Sequence, residues 1–173
     1  MGSCAVQDDF NSRFCAKARH YRYRIATGIV DPFQLRFTHY WRSVLDVHLM
    51  NLAAQALVGE HDFRAFSQDL DPSQVNTVRK LYSVEVTRAG NEVRIDIAGT
   101  AFIRGMMRRI AGGLMEIGRG RRPASDIATL LSNSRNQVHW PEVLPAKGLT
   151  LMRITYGRHP RDHRTALEDE LNE

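Results

Sequence analysis

Residues 81–97 carry the pattern that most restricts the fold. Leu81, Val84 and Val86 fall in one apolar run, Val93, Ile95 and Ile97 in a second, and Gly90-Asn91 lies between them. A period of two gathers these side chains on one face of a two-stranded hairpin, and Gly-Asn is turn chemistry. A hairpin with one apolar face is marginal by itself and must bury that face against another layer. The candidate layer follows at once. Over 102–118, Ile103, Met106, Ile110, Leu114 and Ile117 gather on one side of a helical wheel. The expectation is an α+β domain: a mostly antiparallel sheet of about four strands with helices packed on one face.

The flanking segments extend this reading. From Phe10 a strand pattern begins, with Phe14, Ala16 and Ala18 alternating with polar residues. Tyr21, Tyr23 and Ile25 continue it after a one-residue shift at Arg19-His20, which reads as a bulge. Gly28 and Asp31-Pro32 end the strand. Asp46 is placed to cap a helix whose apolar face is Met50, Ala53, Ala54 and Leu57, with Gly59 as its stop. Residues 67–77 are polar, contain Pro72 and read as a loop. A third helix starts near Ser125 and carries Ile127, Leu130 and Leu131. Residues 149–156 are apolar on both alternations, as in a strand buried on both faces. The expected organisation is an irregular N-terminus over 1–9, one domain over 10–157 and a charged tail over 158–173.

Composition narrows the function. A chain of 173 residues can bury one real core, and 43% hydrophobic residues exclude a disordered chain. Lysine plus arginine is 24 against 19 acidic residues, a formal net charge of +5. Lys17, Lys80 and Lys147 are the lysines, so the basic side is almost all arginine, whose flat fork of donors suits phosphate. Cys4 and Cys15 make neither a disulfide framework nor a four-ligand zinc site, and the histidines show no ligand spacing. No metal and no cofactor are expected. No apolar run approaches the ~18 residues of a membrane span, and the N-terminus lacks a signal-peptide stretch. The expected setting is cytoplasmic, with no membrane partner.

Three clusters could carry chemistry. In Arg19-His20-Tyr21-Arg22-Tyr23-Arg24, alternation sends the tyrosines to one face of a strand and Arg22 and Arg24 to the other. The tyrosines either stack on a base or pack against a helix; the interleaved arginines suit phosphate. In 102–109, Arg104 and Arg108 lie along one edge of the helical stripe and Arg109 opposite. An arginine there either snorkels at the surface or holds a carboxylate or phosphate. In Gly59-Glu60-His61-Asp62-Phe63, an acid–base pair competes with a plainer reading. In that reading Asp62 caps a short helical segment that carries Phe63 and Phe66 into the core.

Taken in order, these pieces resemble one family. They are Phe10-x-x-Arg13-Phe14-x-Ala16, Arg19-x-Tyr21-x-Tyr23-x-Ile25, and Leu57-x-Gly59-x-His61-Asp62-Phe63-x-x-Phe66 after Ala53-Ala54. Ala101-Phe102, Met106-Met107-Arg108, Gly112-x-Leu114-x-x-Ile117-Gly118 and Gly148-Leu149-x-Leu151 follow. The ordered set is similar to the later half of the tRNA pseudouridine synthase A family, over roughly 10–156.

The resemblance implies half of a pseudouridine synthase catalytic fold. It implies that a uridine of the tRNA anticodon stem-loop is flipped out, detached from its sugar by an aspartate's action and rejoined through C5. It implies no cofactor and a homodimer. Tyr21 matches the family's active-site tyrosine, which stacks on the base and takes the C5 proton. Arg108 matches the arginine that pairs with the catalytic aspartate. Arg19, Arg22, Arg24, Arg104 and Arg109 are the accompanying RNA-binding candidates. That aspartate stands in an Arg-Thr-Asp segment in the family, and this sequence contains no Arg-Thr-Asp. The resemblance therefore implies a chain that needs an aspartate-bearing half and is inactive by itself. A non-catalytic RNA-binding module and an inert truncated fragment are the competing readings.

Overall fold

The computed structural model describes residues 6, 8, 10–67, 76–132 and 140–156 of the chain. Most of the irregular N-terminus, the middle of the 67–77 loop and the charged tail lie outside the described residues.

Strands β1 (Ala16–Thr27), β2 (His39–Trp41), β3 (Gly59–Asp62), β4 (Val78–Ala89), β5 (Glu92–Gly99) and β6 (Leu149–Tyr156) form one sheet. Its order is β2-β1-β5-β4-β3, with β6 also on β1. All pairings are antiparallel except the short parallel one of β1 with β2. Helices α1 (Val47–Ala54), α2 (Met106–Gly118) and α3 (Asp126–Ser132) complete the α+β architecture.

The hairpin forms as its pattern demands. β4 and β5 turn at Gly90, whose φ is +58°, and Val84, Val86, Val93, Ile95 and Ile97 are buried in register on one face. Tyr23 and Ile25 of β1 join them, and the buried stripe of α2 lies across this face. The Asp46 carboxylate accepts from the Leu49 amide and so caps α1, whose Met50, Ala53 and Ala54 pack inward. Two polar side chains, one on α1 and one just past its end, cover the edge of β4 beyond the reach of β3. Asn51 Oδ1 accepts from the Val86 amide at 3.0 Å, and Gln55 Nε2 donates to the Val84 carbonyl at 3.3 Å. They satisfy backbone groups that a further strand would otherwise take.

The structure corrects several sequence-based expectations. The sheet has six strands rather than four, because Gly59–Asp62 pairs with β4 and His39–Trp41 with β1. Phe10–Cys15 is not strand: the Asn11 side chain accepts from the amides of Arg13 and Phe14, which folds a turn and leaves Phe14 exposed. A register shift does occur at His20/Tyr21, but the extra residue belongs to β6, and β1 pairs with β5 without a break. α2 begins at Met106 rather than 102, because Gly105 takes a φ of +79° that ends the preceding turn. The largest correction concerns 149–156. It is an edge strand, not a doubly buried one, and Leu151, Met152 and Tyr156 are 40–48% exposed. Leu149 packs on the core and Phe10 meets the Tyr156 ring, but Leu151 and Met152, on opposite alternations, lack a covering layer among the described residues.

Candidate active site

β1 sorts its side chains as alternation requires. Tyr21 and Tyr23 face the helix layer, while Arg22 and Arg24 face the other side of the sheet. Tyr23 is fully buried, so for this ring the core reading holds. Tyr21, one step nearer the end of the sheet, is half-buried and meets the Phe102 ring edge-on, with centroids 5.0 Å apart and planes at 80°. Its neighbours across the sheet are Ile97 on β5 and Leu151 on the exposed strand β6. Tyr21 therefore stands where the core opens toward the free edge.

Arg108 lies in the first turn of α2, half-buried. Its Nε donates to the Leu144 carbonyl at 2.5 Å, and the Leu144 amide donates back to the Arg108 carbonyl. The hydrogen bonds among the described residues leave its terminal Nη pair for another acceptor. The guanidinium is near enough to Tyr23 to act on it electrostatically. Burial raises the Tyr23 hydroxyl far above its ordinary range, and the Arg108 charge only partly opposes this. Tyr23 thus stays protonated and donates to the Pro145 carbonyl at 2.7 Å.

The segment that receives these bonds, residues 140–148, runs along the outer side of α2. Contact is close. A Cβ at Gly112 would sit 2.1 Å from the Glu142 carbonyl oxygen, so only glycine admits the segment there. Arg109, expected opposite the edge that carries Arg104 and Arg108, is half-buried beneath the segment and donates through Nη1 to the Pro141 carbonyl at 2.8 Å.

The remaining arginine candidates separate by position. Both terminal nitrogens of Arg19 are engaged, one with the Thr100 carbonyl and one with the Arg13 carbonyl, each at 2.6 Å. Arg104 is exposed in the turn before α2. Arg22 pairs with Asp96 at 2.9 Å, and Arg24 pairs with Glu92 at 2.5 Å. Glu92 is buried and also holds Arg94. Burial works to raise the Glu92 carboxyl, but the hydrogen bonds and charges of Arg24 and Arg94 outweigh it and set it below the ordinary range. A polar cavity of about 350 Å³ opens on this second face, between Arg24, Arg94, Asn91 and Asp31. So Tyr21 and Arg108 lie on the helix side of the sheet, and Arg22 and Arg24 lie on the other.

The third cluster takes its plainer form. Asp62 Oδ1 accepts from the Arg64 amide and the Thr77 hydroxyl, and Phe63 and Phe66 are fully buried. The role of residues 144–145 was not visible in the sequence. Two backbone carbonyls carry it, and no side-chain pattern marks them.

A family model described as tRNA pseudouridine synthase matches residues 53–157. The tRNA pseudouridine synthase A of Geobacter sp. (strain M21) is 37% identical over 156 residues, covering 89% of this chain and 62% of the relative. That of Stenotrophomonas maltophilia (strain K279a) is 40% identical over 152 residues, 87% of this chain and 59% of the relative. That of Lactobacillus delbrueckii subsp. bulgaricus is 36% identical over 169 residues, 95% and 64% respectively. The chain spans about six tenths of the length of the curated relatives it matches.

Proposed function

Since the chain belongs to the tRNA pseudouridine synthase family, we propose that it supplies the tyrosine–arginine side of a uridine-isomerising site. In this reading the substrate is a uridine of the tRNA anticodon stem-loop. The catalytic aspartate comes from a second half that carries the Arg-Thr-Asp segment absent from this sequence. The assembled enzyme works as a homodimer in the cytoplasm.

One observation carries the proposal. Arg108 is fixed through Nε on a backbone carbonyl, and its terminal pair remains for a carboxylate. A guanidinium anchored by Nε offers two parallel N–H donors, the geometry of a bidentate carboxylate pair. Such a partner keeps the aspartate ionised and aimed. Tyr21 beside Phe102 offers the flipped uracil a half-open aromatic surface on the same side. The aspartate then acts at the sugar, the C1′–N1 bond breaks, and the detached uracil turns and rejoins through C5. The proton lost from C5 passes by way of the Tyr21 hydroxyl, and N1, freed from the sugar, takes up a proton, so the isomerisation is proton-neutral. Arg104 contacts phosphate near the site, while Arg19 and Arg109 support it by holding neighbouring backbone. Arg22 and Arg24 form a second phosphate-facing surface only where RNA reaches the opposite side of the sheet.

The exposed edge of β6 supports the need for a second half. Leu151 and Met152 are 45% and 48% exposed beside Tyr21's strand, and an open edge pairs readily with another strand. The experiment is tritium release from C5-labelled tRNA. Chain plus an aspartate-bearing half is expected to turn over, and Tyr21→Ala and Arg108→Ala are each expected to abolish turnover. Full activity of either variant would remove that residue from the site.

A further inference from the structure

We infer that Tyr23 is a positioning residue for Arg108 and acts through the backbone of Leu144 and Pro145. The inference rests on the proposed role of Arg108 and deepens it. Arg108 and Tyr23 take adjacent carbonyls of one short segment. Arg108 Nε donates to Leu144 O and Tyr23 Oη donates to Pro145 O, at 2.5 and 2.7 Å. The carbonyl that fixes the guanidinium is thus held one residue away by a hydroxyl rooted in the sheet.

The anchor is rigid at both ends. Tyr23 is fully buried between Ile95 on β5 and Leu149 on β6, and its hydroxyl stays protonated, so it remains a donor wherever the protein is folded. The segment hugs the ring closely enough that a Cβ at 148 would lie 2.7 Å from Tyr23 Cζ. Upstream, Arg109 holds the Pro141 carbonyl. Residues 141–145 are therefore tied to α2 by Arg108 and Arg109 and to the sheet by Tyr23. With the Leu144 carbonyl fixed, the plane of the guanidinium is set before any carboxylate arrives, and a pre-set donor loses little freedom on pairing. Without the Tyr23 hydroxyl, the Pro145 carbonyl loses its hydrogen bond from the sheet, and residues 141–145 are held there only through the strand that follows them.

The test is solvent exchange of the Arg108 Nε–H, followed by NMR in the full chain. In the unaltered chain this proton is expected to be protected. In Tyr23→Phe, which keeps the ring, it is expected to exchange about tenfold faster while the melt stays cooperative. Unchanged exchange in a folded Tyr23→Phe overturns the inference. If Tyr23→Phe does not fold, Pro145→Gly at an exposed position loosens the same carbonyl. Unchanged Arg108 exchange in that variant also overturns it. With an aspartate-bearing half added, Tyr23→Phe is expected to lower kcat by up to about a hundredfold with KM for tRNA nearly constant. A change in KM alone contradicts positioning. If the unaltered pair makes no pseudouridine, the proposed function fails, and the exchange measurement still decides the role of Tyr23.

Discussion

Two arginines of the same motif-bearing strand and helix do opposite jobs because of what their Nε atoms meet. Arg22 meets Asp96 and is neutralised at 2.9 Å, whereas Arg108 meets a neutral carbonyl and keeps its charge for another partner. tRNA binding should therefore be salt-sensitive and unevenly distributed over the arginines. Arg104→Glu is expected to weaken tRNA binding and lower the salt slope by about one unit, because an exposed arginine can release a counterion. Arg22→Glu is expected to change it far less. Filter binding across a salt series checks both, and equal effects would place RNA on both faces. Glu92 makes a pH prediction. Its folded carboxyl sits below the unfolded value, so its stabilisation is complete above the ordinary carboxylate range and is lost as pH falls through the folded value. Glu92→Gln should flatten the acid limb of a stability–pH curve, measured by thermal melts below about pH 5.

At the scale of elements, packing rather than propensity decides the borders. Gly112→Ala would drive a methyl into the Glu142 carbonyl and is expected to destabilise the chain by about 1–3 kcal/mol, read by urea melts. Asn51→Ala strips the Val86 amide of its acceptor and is expected to cost about 1–3 kcal/mol in the same assay. The hairpin, the capped helix at Asp46 and the buried stripe of α2 were legible in the sequence, because local periodicity and capping chemistry produce them. β2 and β3 were not, since three- and four-residue strands have too little sequence for a period to show. Their pairing is decided by β1 and β4. Tyr21 and Arg108 were named as candidates through the resemblance, but the carbonyls of Leu144 and Pro145 had no such signal, because any residue presents a carbonyl. The misreading of β6 has a physical cause of the same kind. Leu149–Tyr156 has the composition of a buried strand, and sequence alone does not say whether the covering layer belongs to the same piece of chain.

At the scale of the whole molecule, exposed apolar side chains gather at two places. Leu151, Met152 and Tyr156 line β6, and Ile29, Phe33, Phe37 and Val44 crowd the connection that precedes α1, each more than 60% exposed. Apolar side chains this numerous and this exposed mark surfaces that other chains cover. The chain by itself is expected to self-associate or aggregate in sedimentation, and an aspartate-bearing half is expected to convert it to a defined complex. A monodisperse monomer at high concentration would contradict the open-edge reading of β6. The central claim is that this chain holds the Tyr21–Arg108 side of a pseudouridine site and lacks its carboxylate. Tritium release from C5-labelled tRNA tests it most directly, on the chain alone, on the chain with an aspartate-bearing half, and on that pair carrying Arg108→Ala. The account predicts background release for the first, turnover for the second and loss for the third, whereas turnover by the chain alone, or undiminished turnover by the Arg108→Ala pair, would contradict it.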